Sequence, residues 1–242
     1  MKFPQPLVPA TLLRRHHRFL VDVRLADGRE TTAHTGNTGA MLGCSGPGMA
    51  VWLSKSPNPA RKYPYSLELV EPAPGQWVGV NTLLPNKLVQ EVIEQRRFPT
   101  FGDYTRIRPE VRYGAENSRV DFLLRGQGVP DCYLEVKNVT YCQAGRAMFP
   151  DAVTERGTRH LRELLRMRQE GYRAAVVFCV QHSEAERFST AGHIDPLYAQ
   201  TLSEAMGQGL EVCAWKASMS PEGVEITTEL PVDAGRPLAK SQ

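Results

Sequence analysis

A chain of 242 residues, 41% hydrophobic and 23% charged, has the composition of a folded globular protein and excludes wholesale disorder; it is long enough for one large or two modest domains. Its 29 lysines and arginines against 26 acidic residues leave a net charge of +3, too mild to prescribe a nucleic-acid partner, so local patches must decide. Five scattered cysteines, Cys44, Cys132, Cys142, Cys179 and Cys213, never form a C-x-x-C pair, which argues against zinc and a disulfide framework and for reduced thiols.

The first residues, MKFPQPLVPATLLRRHH, are broken by Pro4, Pro6 and Pro9 and have no apolar core of signal-peptide length. No run approaches the roughly 20 apolar residues of a membrane span. The expectation is a soluble, cytoplasmic protein with no membrane partner. Residues 7–11 and 19–25 have strand character, with Asp27-Gly28 turning the chain into a third strand at 30–34. A glycine-rich segment, HTGNTGAMLGCSGPG, follows at 34–48. It matches neither a Walker loop nor a dinucleotide fingerprint, so its glycines read as turns and kinks, with close approach to a phosphate as the functional alternative. Strands at 50–54 and 65–71 complete a small all-β unit over residues 1–80, for which an oligonucleotide-binding (OB) barrel is the usual form. Arg14, Arg15, Arg18, Lys55, Arg61 and Lys62, interleaved with Trp52, Tyr63 and Tyr65, are its candidate nucleic-acid contacts; a solvated surface explains the same residues.

Pro72, Pro74, Gly75 and Gly79 place a linker at 72–80, opening a second domain at 81–242. Residues 86–97 read as a helix capped by Asn86, with Leu88, Val89, Val92 and Ile93 on one face and Glu91 elsewhere on its surface. A basic strand at 105–113 carries Arg106, Arg108 and Arg112. The stretch SRVDFLLRGQGVPDCYLEVKNVT, residues 118–140, reads as a β-hairpin with a loop at 126–130. Setting Arg125 against Asp131 pairs Phe122 with Leu134, Leu124 with Cys132 and Val120 with Val136. It also brings Asp121 opposite Glu135, with Lys137 two residues on. A slip of one residue would set apolar side chains against charged ones.

Carboxylates on directly opposed residues, whose Cβ atoms lie about 5 Å apart, repel unless something positive sits between them. Lys137 could neutralise one; a hard divalent cation, Mg²⁺ or Mn²⁺, would satisfy both and keep several waters. Asp121, Glu135 and the Val136 carbonyl are therefore candidate metal ligands, with Glu91 as a further one. Lys137 would stand beside the bound water, a combination suited to phosphodiester hydrolysis. A solvated cross-strand charge cluster is the alternative.

Beyond the hairpin, residues 141–151 read as a loop and 152–170 as a long helix with Leu161, Leu164 and Leu165 inward. Glu155, Arg159, Arg162 and Arg166 form a polar stripe on it that either faces water or, through Arg159 and Arg162, meets phosphates. RAAVVFCV at 173–180 is a buried strand. A helix at 194–206, strands at 210–216 and 224–229, and a frayed tail over the last dozen residues complete the chain. A helix-turn-helix over 199–210 is a weaker option. The order describes a mixed sheet flanked by helices.

HTGNTGAM, SKSPNPARKYPYSLELVE, VNTLLPN, YGAENSRVDFLL, CYLEVKNVT and FPDAVTERGTRHL, in that order over residues 34–161, resemble the sugar fermentation stimulation protein A (SfsA) family. The resemblance implies an OB-like domain followed by a PD-(D/E)XK nuclease-like domain, and DNA binding without marked sequence preference, linked to regulation of sugar (maltose) metabolism. Double- and single-stranded DNA both fit, and RNA as ligand stays open, as does oligomeric state. Residue by residue, Asp121 supplies the motif's aspartate, Glu135 its second acid and Lys137 its lysine. His34-Thr35-Gly36-Asn37 stands where a family sequence often has His-Cys-Pro-Asn, so no cysteine role carries over. Two functions compete: a DNA-binding or regulatory protein, and a Mg²⁺- or Mn²⁺-dependent nuclease.

Overall fold

The computed structural model describes residues 1–114 and 118–233. Residues 115–117 of the phrase YGAENSRVDFLL, and residues 234–242 of the expected tail, lie outside the described residues.

The first unit is a closed barrel. Strands β1 (Val8–His16), β2 (Leu20–Leu25), β3 (Glu30–His34), β4 (Ala50–Lys55) and β5 (Tyr65–Glu71) run in the order β3-β2-β1-β4-β5, and a parallel β3–β5 pairing closes the ring. Closure removes the sheet edges that an open antiparallel sheet of this size would expose. Alternation along the strands points Leu12, Val21, Val23, Ala33, Val51, Leu53, Leu67 and Val70 into one buried core. The Asp27-Gly28 turn forms as expected, with Gly28 at φ +84°, a conformation that costs glycine little.

The expected linker is structured. After a short turn, β6 (Val78–Gly79) adds to β5 and meets the second unit: the Gly79 N–H donates to the Gln181 carbonyl at 3.0 Å, and the Trp77 N–H donates to Ser183 Oγ at 2.9 Å. Trp52 of the barrel packs on Trp77 with ring centroids 4.6 Å apart, so this aromatic belongs to the joint between units. The first residues also cross over: Lys2 bridges Gly223, and Leu7 is buried among residues of the second unit.

The second unit is a mixed sheet in the order β15-β14-β12-β9-β8-β7, comprising β7 (Tyr104–Tyr113), β8 (Ser118–Gly126), β9 (Cys132–Val139), β12 (Arg173–Val180), β14 (Glu211–Ser220) and β15 (Gly223–Leu230). The central trio β9-β12-β14 is parallel and the outer pairs antiparallel. Helix α1 (Leu84–Glu94) covers one face with Leu88, Val89, Val92 and Ile93; α2 (Glu155–Gln169) and α3 (Pro196–Gly207) cover the other. A small sheet of β10 (Tyr141–Gln143), β11 (Arg146–Phe149) and β13 (Arg187–Thr190) replaces the expected loop at 141–151; the β10–β11 hairpin is too short for an alternating pattern to show. α3 buries Tyr198, Leu202 and Ala205 in the core shared with α2, so it is a packed helix and not part of a helix-turn-helix.

Candidate metal and phosphodiester site

The hairpin has the expected register at its closed end and departs from it at its open end. Phe122–Leu134 and Leu124–Cys132 pair, and Arg125 Nε donates to Asp131 Oδ2 at 2.8 Å beside the loop. The ladder ends at Phe122, so the expected pairs Asp121–Glu135 and Val120–Val136 do not form. Asp121 Oδ2 instead accepts the Val136 N–H at 2.7 Å. Val120 is buried in the core beneath α2 and α3, whereas Val136 is buried in the core beneath α1. The neighbouring strand shows the cause: Glu110 in β7 holds φ +54°, and Ile107 and Val111 on either side of it pack against opposite cores. The two outer strands change faces there and swing away from β9. Asp121 sits in the resulting gap.

Asn86 does not cap α1; the helix begins at Leu84 after an uncapped Leu83. Its Nδ2 donates to Asp121 Oδ1 at 2.9 Å, so both Asp121 oxygens accept one hydrogen bond. Glu91 is elsewhere on α1, with Oε2 3.4 Å from the Met1 ammonium and Oε1 accepting from Gln95. The helix side that brings Asn86 to Asp121 leaves Glu91 to these partners, so it does not join the site.

Glu135, 4% exposed, lies on the α2 face of β9. Its Oε1 accepts from Lys137 Nζ at 2.7 Å and lies 2.6 Å from His160 Nδ1, while Oε2 is buried without a hydrogen-bond partner among the described residues. His160 Nε2 in turn accepts from Arg156 Nε at 3.4 Å. Burial and then the Glu135 charge push the Asp121 carboxyl up to about 6. Glu135 goes the other way: burial opposes its charge, but Lys137 and His160 outweigh it and hold the carboxyl below its ordinary value. The Tyr113 hydroxyl, pushed well up by burial and by Glu135, Glu163 and Asp121, and Glu163, bound to Arg166, lie within the same field.

Asn86 and His160 are the site residues that sequence reasoning missed. A signal for His160 was present. Gly157, Leu161 and Leu164 mark the buried stripe of α2, and His160 occupies it at helical spacing as a polar residue where an apolar one is expected. Asn86 had no such signal, because its partner is 35 residues away.

Among the described residues no three His, Cys, Asp or Glu side chains gather into a set that could hold a metal ion. What the site offers is two acids close enough to perturb each other, one with an orphaned buried oxygen. That suits a cation held by one or two carboxylates and otherwise by water, as Mg²⁺ is, better than one needing a full protein cage. Asp121, Glu135 and the Val136 backbone would hold it.

The nucleic-acid candidates divide. Arg15 is a structural residue: its guanidinium donates to the carbonyls of Arg18, Asn37, Gly39 and Ala40 at 2.7–3.2 Å. Arg14 pairs with Asp22 at 2.7 Å. Arg18, Lys55 and Lys62 are exposed and Arg61 is half-buried; Lys62 lies over the Tyr63 ring at 5.3 Å. Arg159 and Arg162 are exposed on α2, Arg159 with partners of its own.

A closed five-stranded barrel joined to a mixed sheet flanked by helices, with Asp121, Glu135 and Lys137 gathered where two strands part, defines a two-domain protein with an N-terminal barrel of OB type. The family descriptions "SfsA N-terminal OB domain" and "Sugar fermentation stimulation protein RE domain" match residues 13–80 and 83–223. A sugar fermentation stimulation protein homolog from Geobacter metallireducens is 52% identical over 232 residues, covering 96% of this chain and 99% of that one. The chain belongs to the sugar fermentation stimulation protein (SfsA) family. A solved structure of Pyrococcus furiosus SfsA in complex with Ca²⁺ is 29% identical, with a TM-score of 0.88 over 96% of this chain and 98% of that one.

Proposed function

We propose that this protein binds DNA without marked sequence preference and hydrolyses its phosphodiester bonds with a divalent cation, Mg²⁺ or Mn²⁺, at Asp121 and Glu135. The observation that carries this reading is the carboxylate pair itself: Glu135 keeps a buried oxygen without a partner among the described residues, while its charge raises the Asp121 carboxyl. Bound there, a cation would supply a Lewis acid for the phosphate oxygens and an acidified water. Ca²⁺ in the Pyrococcus furiosus relative supports a site for a hard divalent ion. Asp121 is held ready by Asn86 and the Val136 N–H, and Glu135 by His160. Lys137, 13% exposed, gives its ammonium to Glu135 and would turn it toward developing phosphate charge. DNA binding of this kind is also the route by which the protein would influence sugar, including maltose, metabolism.

A second reading, DNA binding without cleavage, is favoured by the internal pairing of Glu135 Oε1 with both Lys137 and His160, which closes one oxygen of the site. Calorimetric titration of Mg²⁺ and Mn²⁺ into wild type and Asp121→Asn, with cleavage of single- and double-stranded DNA assayed alongside, separates the two. Metal binding lost in the variant, with metal-dependent cutting by wild type, is the expected result. No metal binding and no cutting, with DNA affinity intact, selects the second reading.

A further inference from the structure

The glycine-rich loop, which the proposed chemistry leaves unused, forms one wall of a cleft of about 300 Å³ between the two units. We propose that this cleft takes a single unpaired nucleobase, which makes single-stranded or locally unpaired DNA the substrate class; the inference rests on the phosphodiester reading of the Asp121–Glu135 site.

Position is the first support. Asn138 to Thr140 line the cleft at the carboxyl end of β9, where ligands of sheets with parallel strands commonly sit. Asn138 follows Lys137 directly and lies three residues past Glu135, roughly 10 Å along the strand. Thr82 lines the cleft and stands four residues before Asn86, which binds Asp121. A strand whose phosphate lies at the carboxylates therefore has a neighbouring base within reach of the cleft.

Chemistry selects the base over the phosphate. Asn37, Thr38, Thr82, Asn138 and Thr140 give the lining neutral donors and acceptors, and among the described residues no Lys or Arg lines it. Its one charged side chain, Asp151, accepts the Met41 N–H at 3.0 Å, and a carboxylate repels phosphate. A nucleobase is uncharged, carries donors and acceptors on its edges, and has an apolar face to lay against Phe149 and Met148 in the same lining. Gln181 Nε2 donates to Asn138 Oδ1 at 2.8 Å, leaving the Asn138 amide nitrogen, without a protein partner among the described residues, as a donor for a base acceptor. Two exposed apolar residues flank the lining positions: Leu83, 70% exposed, follows Thr82, and Val153, 72% exposed, comes two residues after Asp151. Apolar side chains so placed are the kind that part stacked bases. A base inside a duplex cannot enter a cleft of this size without leaving its stack.

The test is fluorescence anisotropy in metal-free buffer with three probes: a labelled single strand, its blunt duplex, and the duplex carrying one unpaired 2-aminopurine. Wild type is expected to prefer both unpaired probes over the blunt duplex by about tenfold and to change the 2-aminopurine emission on binding. Thr38→Trp, which puts an indole at the mouth from an exposed loop position, and Asn138→Ala, which removes the amide, should each bring the affinity ratio toward one. Equal wild-type affinity for all probes, or the wild-type ratio retained in both variants, would overturn the base site while leaving the DNA reading standing. If no probe binds at all, the DNA reading fails and the base site with it.

Discussion

Asp121 is expensive to keep charged. Burial and the neighbouring Glu135 raise its carboxyl to about 6 from an ordinary 3.8. Between those values the unfolded chain has released a proton that the folded chain still holds, so stability falls as pH rises through that window. Asp121→Asn removes the titration. Its stability relative to wild type should therefore improve steadily from pH 4 to pH 7, by up to roughly 3 kcal/mol across the window, from a level lowered at every pH by whatever the amide loses at the Val136 N–H. Urea denaturation of both proteins at several pH values checks this; a pH-independent difference would mean that Asp121 is not strained by Glu135. Adding Mg²⁺ or Ca²⁺ at pH 7 should raise the Tm of wild type and leave that of the variant in place, since only a native site gains from ligand. Lys137 works from the opposite side. Its loss leaves a buried Glu135 with His160 as its one remaining partner among the described residues, so Lys137→Ala should cost on the order of 3 kcal/mol in urea titrations and abolish any cleavage while leaving DNA affinity nearly unchanged.

At the scale of elements, Arg15 and the glycine-rich loop form one device. The Arg15 fork gathers carbonyls from Arg18, Asn37, Gly39 and Ala40, and Gly39 lets the loop close on Asp151: a Cβ there would stand 2.7 Å from both carboxylate oxygens. Arg15→Lys keeps the charge and loses the fork. Faster amide exchange over residues 36–41 in Arg15→Lys, with no rescue by the retained charge, is the expected result; a loop as protected as wild type would return Arg15 to the surface cations. This is also where sequence legibility ended. β3, β5 and β12 could be bounded to the residue because alternation or a continuous apolar run is a local signal. The hairpin register near its loop was legible for the same reason. The face change at Glu110, the closure of β3 on β5 and the contact of Asn86 with Asp121 are set by tertiary geometry that no short window records. Arginine spacing misled in a related way: Arg15 carries the same charge as Arg18, but its place beside a loop of open carbonyls turned it inward. The exposed arginines of β7, Arg106, Arg108 and Arg112, need no ligand to explain them, because β7 is a sheet edge and charged edges resist pairing with other chains.

For the whole molecule, the proposed function requires a barrel and a sheet to act together on one strand of DNA. They are held together by β6, by the Trp52–Trp77 contact and by the first residues laid along β15, so a ligand spanning both meets a preset spacing and not a tether. The exposed cations left on the barrel after Arg14 and Arg15 are assigned to internal partners include Lys55, the last residue of β4, and Lys62, which with the half-buried Arg61 lies between β4 and β5. If that segment carries the DNA backbone, Arg61→Ala/Lys62→Ala should weaken binding at low salt and reduce the slope of log affinity against log salt by about 1.8 for a duplex, or about 1.4 for a single strand, for two lost phosphate contacts. Affinity measured by anisotropy over a salt series gives both quantities at once. A parallel downward shift with the slope unchanged would mean a distorted loop rather than lost phosphates. An unchanged line would move the DNA path off this side of the barrel and toward Arg159 and Arg162 on α2, where the same double substitution and the same two slopes decide.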